Sequence, residues 1–316
     1  MIYTLTLNPS LDKSIIINNL IMGEGINRAV DIRNDPGGKG INVCRVLHRL
    51  GKESLALGLV GGYTGLQLQK LLDQEGISHD FLEIKGETRT NLLISDQKKN
   101  RHWKINEYGP EITSSELSQL QEKLYHLYPL PEFLILSGSL PVGVSADIYR
   151  QIILSVKSLG VKTVLDCEGL PLRLGIKGNP FLVKPNRREA EELLGKKLRK
   201  RDDLVDAAFT LLRQGIKMVS ISRGVRGAII AGEQGCWEAI PPRVSVRSTV
   251  GAGDSFLAGL IFSLAENKEP SEALRFAVAT GAASVLATGT GLCQREDAET
   301  LFLQVKVRRV EDPRGC

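Results

Sequence analysis

The sequence predicts an α/β fold on a largely parallel sheet. Short apolar runs of strand length alternate with segments of helical period along most of the chain, and glycines punctuate the junctions. Two stretches, Ser14 to Arg33 and Arg89 to Glu107, break that rhythm by mixing polar and apolar residues without helical period. They read as strands facing water on one side, a flap added to the main sheet. With 316 residues and 42% apolar composition, the chain can bury one large core, or one core with a modest appendage. One domain over 1–316, its flap at about 13–35 and 88–108, is the expectation.

Taken in order, Ile2 to Asn8 is the first expected strand. Val43, Val46, Leu47 and Leu50 recur at helical spacing after Gly40, and Gly51 closes that helix. Ser54 to Val60 is the next strand, ending in glycines at 61, 62 and 65. Thr113 with Glu116 forms a capping box ahead of Leu117, Leu120, Leu124 and Leu127 on one helix face. Phe133 to Leu136 has the continuous apolar character of a buried central strand. Ile148, Ile152, Val156 and Leu159 mark a helix stopped by Gly160, and Val161 to Leu165 returns as a strand. The charged tail from Lys306 to Cys316, with Pro313, reads as poorly ordered.

Lys plus Arg total 41 against 36 Asp plus Glu, a net charge of +5 that suits a small anionic substrate and is too weak for a nucleic-acid partner. The densest basic run, Lys196 to Arg201, reads as a solvated face after a helix. Five scattered cysteines without a Cys-x-x-Cys pair read as reduced thiols of a cytoplasmic protein. No basic start followed by an apolar block opens the chain, and no run of about 18 apolar residues occurs, so neither secretion nor a membrane partner is expected.

The strongest local signal is Gly251-Ala252-Gly253-Asp254, followed at once by the apolar run Ser255 to Leu264. A glycine turn feeding a helix offers unpaired N–H groups at the positive end of the helix dipole, which binds phosphate. An aspartate there can take a proton from a substrate hydroxyl, but the motif alone fits a simple helix cap equally well. There is no Gly-x-x-x-x-Gly-Lys-Ser/Thr, no Gly-x-Gly-x-x-Gly and no protein-kinase catalytic loop. A second glycine cluster, Gly37-Gly38-Lys39-Gly40, brings Lys39 and Asn42 as donors for sugar oxygens, or is a tight turn with an exposed lysine. Asp12 can accept from two adjacent sugar hydroxyls, or serve a turn, and the guanidinium fork of Arg89 fits a phosphate. Asn186 and Glu189, after Lys184-Pro185, share a helix face and can hold the water shell of Mg²⁺ on nucleotide phosphates; an ordinary strand-to-helix loop is the alternative. Ser222, Gly224 and Gly227 punctuate a strand-turn-strand that can bed a nucleotide.

The order of these blocks carries more than any of them. Thr6 to Asp12 (TLNPSLD), Gly37 to Val43 (GGKGINV), Gly86 to Arg89, Ser137 to Pro141 (SGSLP), Lys184-Pro185-Asn186 with Glu189, and Ser248 to Ser255 (STVGAGDS) resemble the phosphofructokinase B family of ribokinase-like sugar kinases. The resemblance implies a three-layer α/β/α fold with a mostly parallel central sheet and a small β-sheet lid. The opening TLNPSLD and Thr88-Arg89 are similar to the bacterial branch acting on already phosphorylated ketohexoses. It implies ATP-dependent phosphorylation of fructose 1-phosphate to the 1,6-bisphosphate, with tagatose 6-phosphate or fructose 6-phosphate as alternatives, and an unphosphorylated sugar or nucleoside, or a silent sugar-phosphate sensor, further off.

By that resemblance Asp254 is the general base and Gly251, Ala252 and Gly253 form the anion hole. Asp12, Gly38, Lys39 and Asn42 hold the sugar and Arg89 its phosphate, with Lys104 and then Arg28 as further phosphate contacts. Lys184, Asn186, Glu189, Ser222, Gly224, Gly227 and Thr249 take the nucleotide, with Mg²⁺ held through water at Asn186 and Glu189. A monovalent cation such as K⁺ is placed near Ser248, Val250 and the loop at Gly289. The flap, with exposed strand edges and an apolar face, suggests a homodimer through the lid. One departure is the flap stretch SDQKKNRHWKINEY, residues 95–108, longer and more basic than the family's.

Overall fold

A computed structural model describes residues 1–99, 101–287 and 291–311. In chain order the elements are β1 (Ile2–Thr6), β2 (Ser10–Ile17), β3 (Asp31–Gly37), α1 (Lys39–Arg49), β4 (Ser54–Val60), α2 (Gly62–Gln74), β5 (His79–Glu83), β6 (Arg89–Asp96) and β7 (Arg101–Asn106). They continue as α3 (Ser114–Tyr125), β8 (Phe133–Ser137), α4 (Ile148–Lys157), β9 (Lys162–Asp166), α5 (Gly169–Gly175), β10 (Leu182–Val183), α6 (Arg187–Leu194) and α7 (Arg201–Leu212). Last come β11 (Met218–Ser222), β12 (Ala228–Gly232), β13 (Gly235–Ile240), α8 (Ala252–Ala265), α9 (Pro270–Ser284), α10 (Arg295–Phe302) and β14 (Lys306–Val310).

The large sheet has the order β14-β13-β12-β11-β10-β9-β8-β1-β4-β5. From β11 to β5 the neighbours run parallel, and β12, β13 and β14 add an antiparallel end. Alternation along each strand sends side chains to both faces. Tyr3, Leu5, Leu134 and Leu136 pack with helices α3 to α7, whereas Ile2, Phe133 and Ile135 pack with α1, α8, α9 and α10. Burial on both faces is why these strands read as continuous apolar runs rather than alternating ones.

The two irregular segments form a separate sheet of order β3-β2-β6-β7, in which β2 and β6 pair in parallel and the outer pairs are antiparallel. Its two faces differ. Ser10, Asp12 and Ser14 share one face with Arg89, Asn91, Leu93 and Lys104, while Ile15, Ile32, Leu92, Ile94, Trp103 and Ile105 share the other.

The capping box at Thr113 is present in both directions, and the first strand ends at Thr6, two residues earlier than expected. The tail expectation is corrected by the structure. Residues 306–310 form the edge strand β14, because Val310 is buried, Val307 packs on the core and Arg308 donates to the buried Glu238 at 2.7 Å. The remaining tail, 312–316, lies outside the described residues.

Candidate active site

Helix α8 begins on Gly251, whose φ of 75° lies in the left-handed region and where an added Cβ would come within 2.5 Å of Leu292 Cδ2. The turn makes no side-chain cap, and the carboxylate of Asp254 accepts a hydrogen bond from Asn42 Nδ2 at 2.8 Å, across from α1. Of the two readings left open by the motif, the helix cap is not made: Asp254 turns its carboxylate to Asn42. It is 8% exposed, and burial, with the Asp166 charge nearby, pushes its carboxyl up to about 6 against the opposing pull of Asn42.

Asp166 ends β9 at the carboxyl edge of the sheet, where open α/β folds place their ligands. Lys184 Nζ lies 3.3 Å and Lys39 Nζ 3.5 Å from its Oδ1. Burial alone would raise the Asp166 carboxyl, but the two ammonium groups outweigh it and hold it below the usual range. The same carboxylate raises Lys39, which stays charged. An added Cβ on Gly253 would stand 3.9 Å from Lys184 Nζ, so this ammonium sits beside the glycine turn. Buried Glu189, raised by desolvation, completes the cluster of Asp254, Asp166, Glu189, Lys39 and Lys184.

Asn186 caps α6. Its Oδ1 accepts from Glu189 N at 3.0 Å, while Asn186 N and Nδ2 donate to the two Glu189 oxygens at 2.7 and 2.6 Å. Here the bland reading of an ordinary strand-to-helix junction is present together with burial beside the lysines. Ser222 N donates to Pro185 O at 3.1 Å, which brings the end of β11 against this junction. Gly224 and Gly227 bound the turn that follows. Gly227 has φ of 83°, and an added Cβ would lie 1.8 Å from the Ala239 carbonyl oxygen. Thr249 is exposed just before α8, and its carbonyl accepts from Ala252 N at 3.5 Å. Ser248 and Val250 flank it, whereas Gly289 lies outside the described residues.

A second group stands on the polar face of the small sheet. Asp12 Oδ1 accepts from Ser10 Oγ at 2.7 Å and Asn91 Nδ2 at 2.9 Å, and burial raises its carboxyl. Its carboxylate stands over Gly37, where an added Cβ would be 2.4 Å away, so Asp12 roofs the loop whose Gly38 and Lys39 lead to the first group. Arg89 donates to Glu107 O at 2.9 Å and Asn8 O at 3.0 Å, reaches Ser139 Oγ at 3.4 Å, and leaves a buried Nε without a partner. It therefore ties β6 to the β1–β2 connection as well as carrying charge. Lys104 is exposed on the same face, and Arg28 is exposed in the β2–β3 connection; neither joins the two groups among the described residues.

Sequence reasoning passed over Asp166, Asn91 and Ser10. An aspartate closing an apolar strand run was the available signal for Asp166; Asn91 and Ser10 become visible only through strand register.

A parallel α/β sheet with a glycine turn, a buried carboxylate and two lysines at its carboxyl edge is the framework of a phosphoryl-transfer enzyme acting on small hydroxyl compounds. The chain belongs to the pfkB family of carbohydrate kinases, whose match runs over residues 6–297. It is 37% identical over 311 residues to a 1-phosphofructokinase of Borreliella burgdorferi, covering 98% of this chain and 99% of that protein. To the ATP-dependent 6-phosphofructokinase isozyme 2 of Escherichia coli it is 36% identical, covering 95% and 97% respectively. The crystal structure of phosphofructokinase-2 from Escherichia coli in complex with potassium superposes with a TM-score of 0.91 at 36% identity, over 96% of this chain and 98% of that one. The fold is accordingly ribokinase-like.

Proposed function

We propose that this carbohydrate kinase transfers the terminal phosphoryl group of ATP to fructose 1-phosphate, giving ADP and fructose 1,6-bisphosphate. The observation that carries the reading is Asp254, buried at the glycine turn, held by Asn42 and flanked by Lys184. Ionised, its carboxylate takes the proton of the attacking sugar hydroxyl as the phosphorus arrives. The N–H groups of residues 251–253 and the Lys184 ammonium stabilise charge growing on the phosphoryl oxygens. On the sugar side, Asp12 keeps Oδ2 for hydroxyl groups, Lys39 and Asn42 lie along the floor, and Arg89, with Lys104 further out, reads the existing phosphate.

For the nucleotide, Lys184, Asn186, Ser222, Gly224, Gly227 and Thr249 line the path from the sheet edge to the glycine turn. Three buried carboxylates, Asp166, Glu189 and Asp254, face two lysines, Lys39 and Lys184, an imbalance that fits a cation. Asn186 and Glu189 are bonded to each other, so in this reading their remaining lone pairs meet Mg²⁺ through water and not as direct ligands. Bound with ATP, Mg²⁺ shields the phosphates. A K⁺ beside Ser248 and Val250 is supported by the potassium complex of the Escherichia coli structure.

The reading includes one domain with the small sheet as its lid, pairing with the lid of a second copy. The exposed apolar residues Ile32 and Ile105 support that pairing. The four described cysteines are free and buried, which supports a cytoplasmic setting, and no helix among the described residues is long and apolar enough to cross a membrane. The near-equal identity to a 6-phosphofructokinase favours fructose 6-phosphate as the second reading, with tagatose 6-phosphate beside it. A panel of phosphorylated and unphosphorylated ketoses in an ADP-release assay decides. The highest kcat/KM is expected with fructose 1-phosphate, and a higher value for any other ketose overturns the assignment.

A further inference from the structure

The basic run read from sequence as a solvated face does not stand alone in the fold. A concavity of about 140 Å³ gathers Arg199 and Lys200 from the α6–α7 connection and Arg201 at the head of α7 with Arg187 at the head of α6 and Arg223 and Arg226 from the β11–β12 turn. Three segments distant in sequence thus converge six cations on one hollow. Arg187 is paired with Glu191 at 3.1 Å, Arg201 with Asp202 at 3.0 Å and Arg223 with Glu238. Nearby Asp203 is committed to the backbone N–H groups of Arg199 and Lys200 at 2.8 Å. Arg199, Lys200 and Arg226 make no ion pair within 4.0 Å among the described residues, although Lys200 lies near enough to Asp203 to help those N–H groups hold its carboxyl below the usual range. The Arg223 side chain is 10% exposed and its buried Nε has no hydrogen-bond partner.

Arg199, Lys200, Arg201 and Arg226 are exposed, but they meet Arg187 and Arg223 around one concavity instead of spreading over a convex face. Like charges ringing a hollow repel one another, and a bound anion removes that repulsion. The guanidinium forks match phosphate oxygens, and cations on three separate segments exceed what one phosphate group can reach.

We propose that this hollow is a second anion site, outside the catalytic cleft, for a compact polyanion carrying two phosphate groups, and that its occupation acts on nucleotide binding. The route is short. Arg223 N donates to Gly227 O at 2.8 Å, and the Arg223 guanidinium holds Arg226 O at 2.8 Å, so an anion on Arg223 and Arg226 fixes the Gly224–Gly227 turn. Arg187 directly follows Asn186.

The test is calorimetric titration of inorganic pyrophosphate into the intact protein, in magnesium-free buffer, with a non-hydrolysable ATP analogue filling the catalytic anion hole. One equivalent is expected to bind wild type, with affinity falling as salt rises. In K200S/R226S the affinity is expected to drop at least tenfold, and in the charge-preserving K200R/R226K to return to within threefold of wild type. Equal affinity in wild type and K200S/R226S, or no binding by wild type beyond that of chloride at matched ionic strength, overturns the site. Analogue affinity with and without pyrophosphate is expected to differ at least twofold in wild type and not in K200S/R226S; no difference in wild type overturns the coupling.

Discussion

A carboxylate that is 8% exposed between a glycine turn and a second buried acid is easily protonated, and in the proposed mechanism Asp254 acts as a base only when ionised. With its carboxyl pushed up to about 6 in the free protein, kcat/KM is expected to fall about tenfold for each pH unit below that value, read from a pH–rate profile. Asp254→Asn is expected to lower kcat by about 100-fold to 10,000-fold with sugar binding retained. The same burial sets the stability. Because the folded value lies above the unfolded one of 3.8, Asp254 favours the fold below about pH 4, and that contribution is lost as pH rises through about 6. Asp254→Asn is thus expected to be more stable than wild type at pH 8, by up to roughly 3 kcal/mol, with no gain near pH 4 in urea unfolding. If Arg89 reads the sugar phosphate as proposed, Arg89→Ala is expected to raise the KM for the phosphorylated ketose by about 10- to 100-fold, the worth of hydrogen bonds to a charged group. An unchanged KM means that no phosphate is read there.

At the scale of elements, two junctions pack against the candidate site. The β11–β12 turn passes so close to β13 that an added Cβ at Gly227 would overlap the Ala239 carbonyl. Gly227→Ala is expected to lose about 2 kcal/mol or more of stability and to raise the KM for ATP, both measurable on one purified sample. The second junction is where β3 enters α1. Arg45, 2% exposed, donates to both oxygens of Glu75 at 2.8 and 2.6 Å and to Pro36 O at 3.1 Å. It therefore clamps the end of β3, two residues before Gly38, to α2. Glu75→Gln leaves the buried guanidinium with Asp35, 3.8 Å away, as its remaining counter-charge, and is expected to cost on the order of 1–2 kcal/mol in urea denaturation, less than a fully broken buried pair because Asp35 stays and Glu75 is 30% exposed.

Across the whole molecule, the division of labour follows the two sheets. The large one fixes Asp254, the two lysines and the Gly224–Gly227 turn, the proposed base and nucleotide site; the small one brings Asp12, Asn91 and Arg89 over the Gly37 loop on its polar face. Its other face exposes Ile32 at 54% and Ile105 at 53% beside Trp103 and Ile94. Isolated small sheets with such a face gain by covering it. In sedimentation, wild type is expected to run as a dimer and Ile105→Lys as a monomer; a wild-type monomer at working concentration removes the lid pairing.

The alternation of apolar runs and helical periods determined the α/β class, because strands buried on both faces and amphipathic helices leave unlike patterns. Ordered motifs determined most candidate residues, since glycine turns and caps are local chemistry. Strand register and packing decided the rest. Asp254 was as good a helix cap as a base until Asn42, 212 residues away in the chain, was found on its carboxylate. Asp166 acquired its meaning when β9 placed it between Lys39 and Lys184, and the tail became a strand once Glu238 received Arg308. Nor does a run of lysines and arginines disclose the hollow it will line. Contacts of that kind depend on the path of the chain through space, and only the tertiary structure fixes that path.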